Sequence, residues 1–517
     1  FEHSADKRVL TIFLRRGMRW SDGAPFTAED VLFWYADMYS DRRVVPGPSA
    51  TLELEDGSVT IEQVDEATLQ FIAPSPYPML GEVLAGYSDI AGPALTGKLG
   101  MGLFAPKHYL SRFHPKYRSE AEINKEARDA GFGNWSTYLK YMNDWTRNPE
   151  LPVVSPWKPV TAVNTPVYRL ERNAYSIWID SEGNQLPYID RIRHTLCSGP
   201  DSVNFMAVAG ELDFQDRHLD VAKLPYLLSN RARSKYEVYV DPFEGSDVGI
   251  RLNFDYTEDT EIGELLRDLR FRRALSLAVD RDAINETLLL GTAIASSAVP
   301  NPDNRYYPGR EWANRWAVLD VKAANALLDE LKLDRRDDQG FRMRRDGKGR
   351  LQLISETLRT HFDFPAVAEM VKDQWRAIGI DLNVKLVEVG LFLQRAAAGA
   401  IQLTIQVTGS EDPFTYPDVL FPSMPTGSSA LMGAAYARWF QSNGRSGKRP
   451  PDEIMTVMDL WRKGRATTDE AERIRYGQLA IKAHVEAVLS IGIASAGLTI
   501  YGMHLARTSL GNVPRRV

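Results

Sequence analysis

Residues 402–425 run Gln-Leu-Thr-Ile-Gln-Val-Thr-Gly-Ser-Glu-Asp-Pro-Phe-Thr-Tyr-Pro-Asp-Val-Leu-Phe-Pro-Ser-Met-Pro, so Gln406, Thr408, Gly409, Ser410, Glu411, Asp412 and Tyr416 share one short passage. Side-chain amides and hydroxyls both donate and accept hydrogen bonds, which suits a ligand rich in hydroxyls, whereas an ammonium needs a carboxylate partner. Glu411 and Asp412 also invite comparison with the paired carboxyls of glycoside hydrolysis, but sequence neighbours do not ordinarily face one site. They read equally well as a cap or turn ahead of Pro413. His108 and His114, with acids nearby, are the other candidate acid/base set. No nucleophile elbow or metal motif accompanies them. Residues 92–99, Gly-Pro-Ala-Leu-Thr-Gly-Lys-Leu, have the glycine spacing and lysine of a phosphate loop, but Leu99 stands where a magnesium-binding hydroxyl is required, so they read as a turn. The one cysteine, Cys197, excludes an internal disulfide and a thiolate cluster, and the eight histidines lack ligand spacing. The expectation is recognition without catalysis, metal or cofactor.

These residues must be held by regular elements. Val248, Ile250 and Leu252 alternate as in a strand crossing between two parts of the chain, and Asn253 just after it is a candidate to face a cleft. Tyr416, Trp439 and Trp157 are aromatic candidates for stacking on a ligand. Trp157 lies, with Trp135 and Trp145, in an aromatic stretch at 113–166 that reads as loop-rich, because prolines at 149, 152, 156 and 159 break any long helix. Eleven tryptophans fit stacking against sugar faces, although packing is the plainer role for most of them.

Further upstream, a strand at 10–14 leads through Asp22-Gly23 to a helix announced by Thr27, with Asp30 three residues on as in a capping box. Trp20 then anchors the turn, and Trp34 and Tyr35 lie on the core face of the helix. A hairpin is expected around Asp56-Gly57, a strand at 68–72, strands alternating with helices over 168–240, and helices at 322–331 and 366–378. The charged stretch 334–350 reads as a hairpin insertion at a solvated edge. No repeat or low-complexity segment appears.

At 517 residues the chain needs more than one core, and 44% hydrophobic with 25% charged residues is ordinary for a globular protein. A net charge of −6 gives no attraction to nucleic acid or to a membrane surface. No run of eighteen apolar residues exists to span a bilayer.

The residues from Ile12 to Trp34, Ile-Phe-Leu-Arg-Arg-Gly-Met-Arg-Trp-Ser-Asp-Gly-Ala-Pro-Phe-Thr-Ala-Glu-Asp-Val-Leu-Phe-Trp, resemble the signature of the large bacterial extracellular solute-binding proteins that feed ABC importers, typified by the oligopeptide- and dipeptide-binding proteins. The likeness continues in order through Glu171-Arg172-Asn173-Ala174-Tyr175, Asp180-Ser181-Glu182-Gly183-Asn184-Gln185-Leu186-Pro187-Tyr188-Ile189-Asp190, Gly210-Glu211-Leu212-Asp213, the helix Phe271-Arg272-Arg273-Ala274-Leu275-Ser276-Leu277-Ala278-Val279-Asp280-Arg281, and the step from Trp375 to Val384. The resemblance implies a two-lobed α/β fold of the type II periplasmic-binding class with a small α+β accessory domain. The accessory domain would be 1–115, the first lobe 116–252 with 494–517, and the second lobe 253–493. It also implies a monomer in the periplasm or outside the cell, capturing an oligomeric solute between its lobes and delivering it to membrane permease subunits. Relatives begin with a signal peptide and further strands and extend past 510–514, so the chain is expected to be truncated at both ends. If the missing strands are central to the first lobe, the piece is expected not to fold alone.

The peptide-binding relatives usually read Trp-x-x-Asp-x-x-Asp-Pro where this chain reads 406–413, and their first Asp pairs with the peptide's α-amino group. Anchoring on Asp412-Pro413 puts Gln406 at the Trp and Gly409 at the Asp; a two-residue shift puts Glu411 there instead. The neutral wall makes an oligosaccharide or glycoside the first expectation and an oligopeptide or dipeptide the second, with a glycoside-active enzyme as the alternative of another class.

Overall fold

The computed structural model describes residues 1–514 apart from 48, 50, 55, 87–89, 91–101, 361, 425–426 and 499–501, so the stretch 92–99 lies outside the described residues. The chain divides into two compact units, Phe1–Leu196 with Arg465–Thr468, and Cys197–Gly464 with Asp469–Val517.

The first unit opens on an antiparallel sheet in the order Glu2–His3, Val9–Phe13, Thr68–Ile72, Thr60–Asp65. Leu10, Ile61, Leu69 and Phe71 are buried where the period-two pattern turns one face inward. A hairpin pairs Glu53–Leu54 with Gly57–Ser58, as Asp56-Gly57 led one to expect. The capping box is present: Thr27 caps the helix Ala28–Phe33 and Asp30 reaches back to the Thr27 amide at 3.0 Å. Asp30 also accepts the Trp20 indole N–H at 3.1 Å and the Lys107 amide at 2.9 Å. Trp20 and Trp34 are fully buried, and the helix widens into a π-helical turn, Trp34–Tyr39.

The stretch 113–166 differs from its loop-rich expectation. It contains the helices Glu120–Asp129 and Trp135–Met142, the second capped by Asn134, and the four prolines all come after them. Trp135 is buried, with the Arg43 guanidinium 4.9 Å from its ring. A three-stranded antiparallel sheet, Trp157–Pro159, Val167–Arg172 and Arg191–Thr195, completes the unit.

Among its described residues the second unit holds two sheets. The smaller runs Phe214–Gln215, Met503–Arg507, Tyr236–Val240 and packs Leu505 and Tyr236 against Ala207, Val208 and Leu227 of the helices Pro200–Ala209 and Leu224–Ser234. The larger is mixed, in the order Ile294–Ala295, Ser490–Ser495, Ser246–Leu252, Leu403–Gln406, Gln352–Thr357, Asp381–Leu386. Only the last three strands run parallel to one another. The helix Phe364–Arg376 lays Val367, Val371 and Trp375 on it, and the Trp375 indole donates to Leu275 O at 3.0 Å.

Ser246–Leu252 is buried along its whole length and lies entirely within the larger sheet. The chain passes between the two sheets just outside it, at 241–245 and again after Ser495. There Phe243 N donates to Gly497 O at 3.1 Å, Asp241 N to Gly502 O at 2.9 Å, and Gly497 N to the buried Asp247 carboxylate at 2.6 Å.

Three arginines hold the second unit from inside. Arg272 pairs with Glu453 at 2.8 Å and donates to Ala487 O, while Arg281 donates to Gly492 O, Ser276 O and Ala317 O. The third corrects the picture of 334–350 as a solvated edge. Arg342 is fully buried, pairs with Asp329 at 2.6 Å and donates to Ile378 O at 2.8 Å; beside it Arg344 pairs with Asp259 and Arg345 with Glu261.

Candidate functional site

The strand Leu403–Gln406 pairs with Gly249–Leu252 and ends at Gln406, opposite Gly249. Beyond it the chain stays fastened to the start of the neighbouring strand. Ser246 O accepts the amides of both Thr408 and Gly409 at 3.1 Å, and the Ser246 and Thr408 hydroxyls lie 2.9 Å apart. This approach is so close that a β-carbon on Gly409 would lie 2.6 Å from both the Ser246 β-carbon and the Ser246 nitrogen. Gly249 is pressed in the same way, since a β-carbon there would meet Thr408 at 2.6 Å. Glycine serves here for contact distance, not for backbone freedom.

Ser410 is half-buried and Glu411 exposed, with Glu411 O accepting the Asn304 side-chain amide at 2.7 Å. Asp412 faces inward. One carboxylate oxygen accepts Arg305 at 2.7 Å and the Tyr306 hydroxyl at 3.0 Å, and the other accepts the amides of Phe414 at 2.8 Å and Thr415 at 3.3 Å. Burial and the Asp412 charge push the Tyr306 hydroxyl well above the usual phenol range. Tyr416 N donates to Asp412 O at 3.0 Å, and the chain turns into a short 3₁₀ helix, Pro417–Val419. One loop thus gathers Gln406, Thr408, Gly409, Ser410, Glu411, Asp412 and Tyr416.

The remaining candidates stand elsewhere. Asn253 is 2% exposed, gives both amide hydrogens to Gly399 O at 2.9 Å and Ile401 O at 2.8 Å, and accepts the Asp255 amide at 3.0 Å. Its hydrogen bonds lie inside the fold. Trp439, on the helix Ala434–Gln441, packs beneath the Gly444 turn. Trp157 belongs to the first unit, where its indole donates to Ile189 O at 2.9 Å.

Sequence reasoning missed the buried polar groups behind the loop. Arg251 is 3% exposed and donates to Val407 O at 2.8 Å and to Asp418 O at 3.4 Å. His484 lies between Leu420 O at 2.8 Å and the Ser490 hydroxyl at 2.7 Å, and burial pushes its imidazole down to about 4. An arginine between Ile250 and Leu252 looks solvent-facing by alternation, so only the packing on that face shows it to be interior.

The acid/base candidates do not converge. His108 meets Asp22 at 2.7 Å, whereas His114 is buried with Nε2 on Asp37 O at 2.9 Å. A cavity of about 650 Å³ beside His114 is lined by Asp37, Arg43 and Lys116, with Lys116 paired to Asp37 at 2.6 Å and Arg43 to Asp41 at 2.7 Å. Among the described residues no cluster of three or more His, Cys, Asp or Glu could hold a metal, and no helix is long and apolar enough to cross a membrane.

The sequence profile of the bacterial extracellular solute-binding proteins, family 5 Middle, matches residues 1–428. The chain belongs to this family. Among its relatives, the periplasmic alpha-galactoside-binding protein of Rhizobium meliloti (strain 1021) is 28% identical over 360 residues, which is 66% of this chain and 46% of that protein. The chain thus spans less than half the length that relative would require. Among solved structures, an oligopeptide-binding protein OppA is similar with TM-score 0.64 and 30% identity, covering 99% of this chain and 80% of that one. The periplasmic binding protein MelB of Agrobacterium fabrum C58, in complex with stachyose, is similar with TM-score 0.72 and 20% identity over 99% of this chain and 72% of that one, a likeness of fold. The fold is therefore the α/β fold of the type II periplasmic binding proteins.

Proposed function

We propose that the chain is the ligand-capturing part of an ABC importer's substrate-binding component, which takes up an oligosaccharide or glycoside and delivers it to the permease without covalent chemistry. The close approach of Gly409 to Ser246 carries the sugar reading. The peptide-binding relatives keep an amine-binding Asp at the position that Gly409 occupies when the passage is anchored on Asp412-Pro413, and here no side chain fits without moving the Ser246 backbone. What remains is an array of Gln406, Ser410 and backbone groups that suits hydroxyls, Thr408 being 2% exposed with its hydroxyl against that of Ser246. The likeness to an alpha-galactoside-binding protein supports the same choice and narrows it to neutral galactosides.

Gln406, Gly409, Ser410, Glu411 and Tyr416 form the ligand wall in this reading, with Asp412 and the buried Thr408 as their braces and Asn253 outside it. The smaller sheet of the second unit belongs to the first lobe and the larger sheet is the second lobe, so the crossings at 241–245 and 496–498 serve as a hinge. A ligand that binds the closed arrangement better shifts the population toward it. The protein works as a monomer outside the cytoplasm.

An oligopeptide is the second reading, favoured by the exposure of Glu411 on the same loop and by the likeness to OppA. A thermal-shift screen of the full-length protein against di- to tetrasaccharides and di- to pentapeptides separates the two, since a ligand at about 100 times its Kd adds about 2.7 kcal/mol. Stabilisation by peptides alone would overturn the sugar reading.

A further inference from the structure

Arg251 sits one residue before the end of the strand Ser246–Leu252, its backbone opposite Thr404 on one side and Ser490 on the other. Its guanidinium reaches past the end of the neighbouring strand. Nε donates to Val407 O at 2.8 Å and a terminal nitrogen to Asp418 O at 3.4 Å. These two carbonyls bracket the loop from Thr408 to Tyr416. Burying a guanidinium is costly, and burial holds Arg251 below its ordinary range, with the Asp418 charge offsetting part of the effect. The planar fork can reach two carbonyls in different directions at once; a lysine ammonium on its flexible stem can hold one of them.

A second buried tie lies alongside. Nδ1 of His484 faces Leu420 O and therefore carries the hydrogen, which leaves Nε2 to accept from the Ser490 hydroxyl. Val407 and Asp418 are thus fixed to the strand Ser246–Leu252 and Leu420, through the helix residue His484, to the start of the strand Ser490–Ser495, while Arg305, Tyr306 and Asn304 fix the middle of the loop at Asp412 and Glu411.

We infer that Arg251 is a positioning residue for ligand binding: without touching ligand, it holds both ends of the loop that forms the wall. The inference rests on reading that loop as the wall. A loop ordered in advance does not lose conformational entropy on binding, and releasing one end reintroduces that loss.

The test compares Arg251→Lys and Arg251→Gln with Arg281→Lys in the full-length protein. Arg281 is an equally buried guanidinium of the same unit that donates to Gly492 O, Ser276 O and Ala317 O, away from the loop. Hydrogen exchange is followed residue by residue, and stachyose is titrated well below the unfolding temperature. Both Arg251 variants are expected to exchange at least about tenfold faster at 407–420 while 352–357 and 381–386 stay protected, and to bind stachyose about tenfold more weakly. Arg281→Lys is expected to lower the melting temperature and leave both readouts unchanged. Undiminished protection at 407–420, or equal weakening by Arg281→Lys, would overturn the inference. Should the unaltered protein not bind stachyose while the exchange pattern holds, the galactoside reading fails and the clamp stands. The Arg251 Nε–H of the unaltered protein gives a check that needs no variant, because it should exchange as slowly as the strand amides, and rapid exchange would overturn the clamp.

Discussion

Gly409 lies against Ser246 so closely that the Ser246 carbonyl accepts its amide at 3.1 Å and leaves no room for a β-carbon. Gly409→Asp is therefore expected to destabilise the protein by about 1–3 kcal/mol, the usual cost of overpacking, and to confer no affinity for peptides. Urea unfolding and peptide titration check this. Peptide binding at undiminished stability would mean that the site has room for the acid after all.

Asp412 accepts four hydrogen bonds from Arg305, Tyr306, Phe414 and Thr415. Asp412→Ala leaves a mostly buried hydroxyl and two loop amides without their acceptor and Arg305 with Glu470 alone, so a loss of about 2–4 kcal/mol is expected. Thermal unfolding measures it, and a loss below about 0.5 kcal/mol would refute the brace.

His484 makes stability depend on acidity. The unfolded histidine takes its proton near 6.5 and the folded one resists it down to about 4. Below pH 6.5 the unfolded chain binds the extra proton, so the contribution is complete above 6.5 and is lost as the pH falls toward 4, up to about 3 kcal/mol. Urea unfolding at pH 7 and pH 5 should show this slope in the natural protein and a flatter one in His484→Gln. Equal slopes would exclude His484 as its source.

Asp30 is 4% exposed and joins the Thr27 amide, the Trp20 indole and the Lys107 amide. Burial holds its carboxyl above the usual range, so these donors are what keep an anion acceptable there. Asp30→Ala removes half of the capping box and orphans a buried indole, and about 2–4 kcal/mol should be lost. A change of melting temperature under about 1 °C would count against this network.

What was legible in the sequence was local. The capping box of Thr27 and Asp30, the hairpin at Asp56-Gly57 and the helix ahead of Gly379 all follow from residues a few positions apart. The helix at Trp135 is obscured in the sequence by the prolines that crowd beyond its end, whereas Asn134 starts it and no proline interrupts it. Arg342 and Arg251 stayed hidden for another reason. Charge predicts exposure unless remote partners such as Asp329, Val407 and Asp418 fill the fork, and no spacing rule brings these together. Gly409 was visible as a missing acid, but the contact with Ser246 that excludes one appears only in three dimensions.

The Asp30 network has a consequence for how such chains are sorted. The stretch that most plainly places this molecule among its kin is a keystone of the first unit, with its tryptophan and carboxylate turned inward, and it would read the same above any cargo. On the proposed reading, this mark of kinship and the choice of ligand lie in different parts of the chain. Transplanting residues 402–425 between relatives would then be the shorter route to a new ligand.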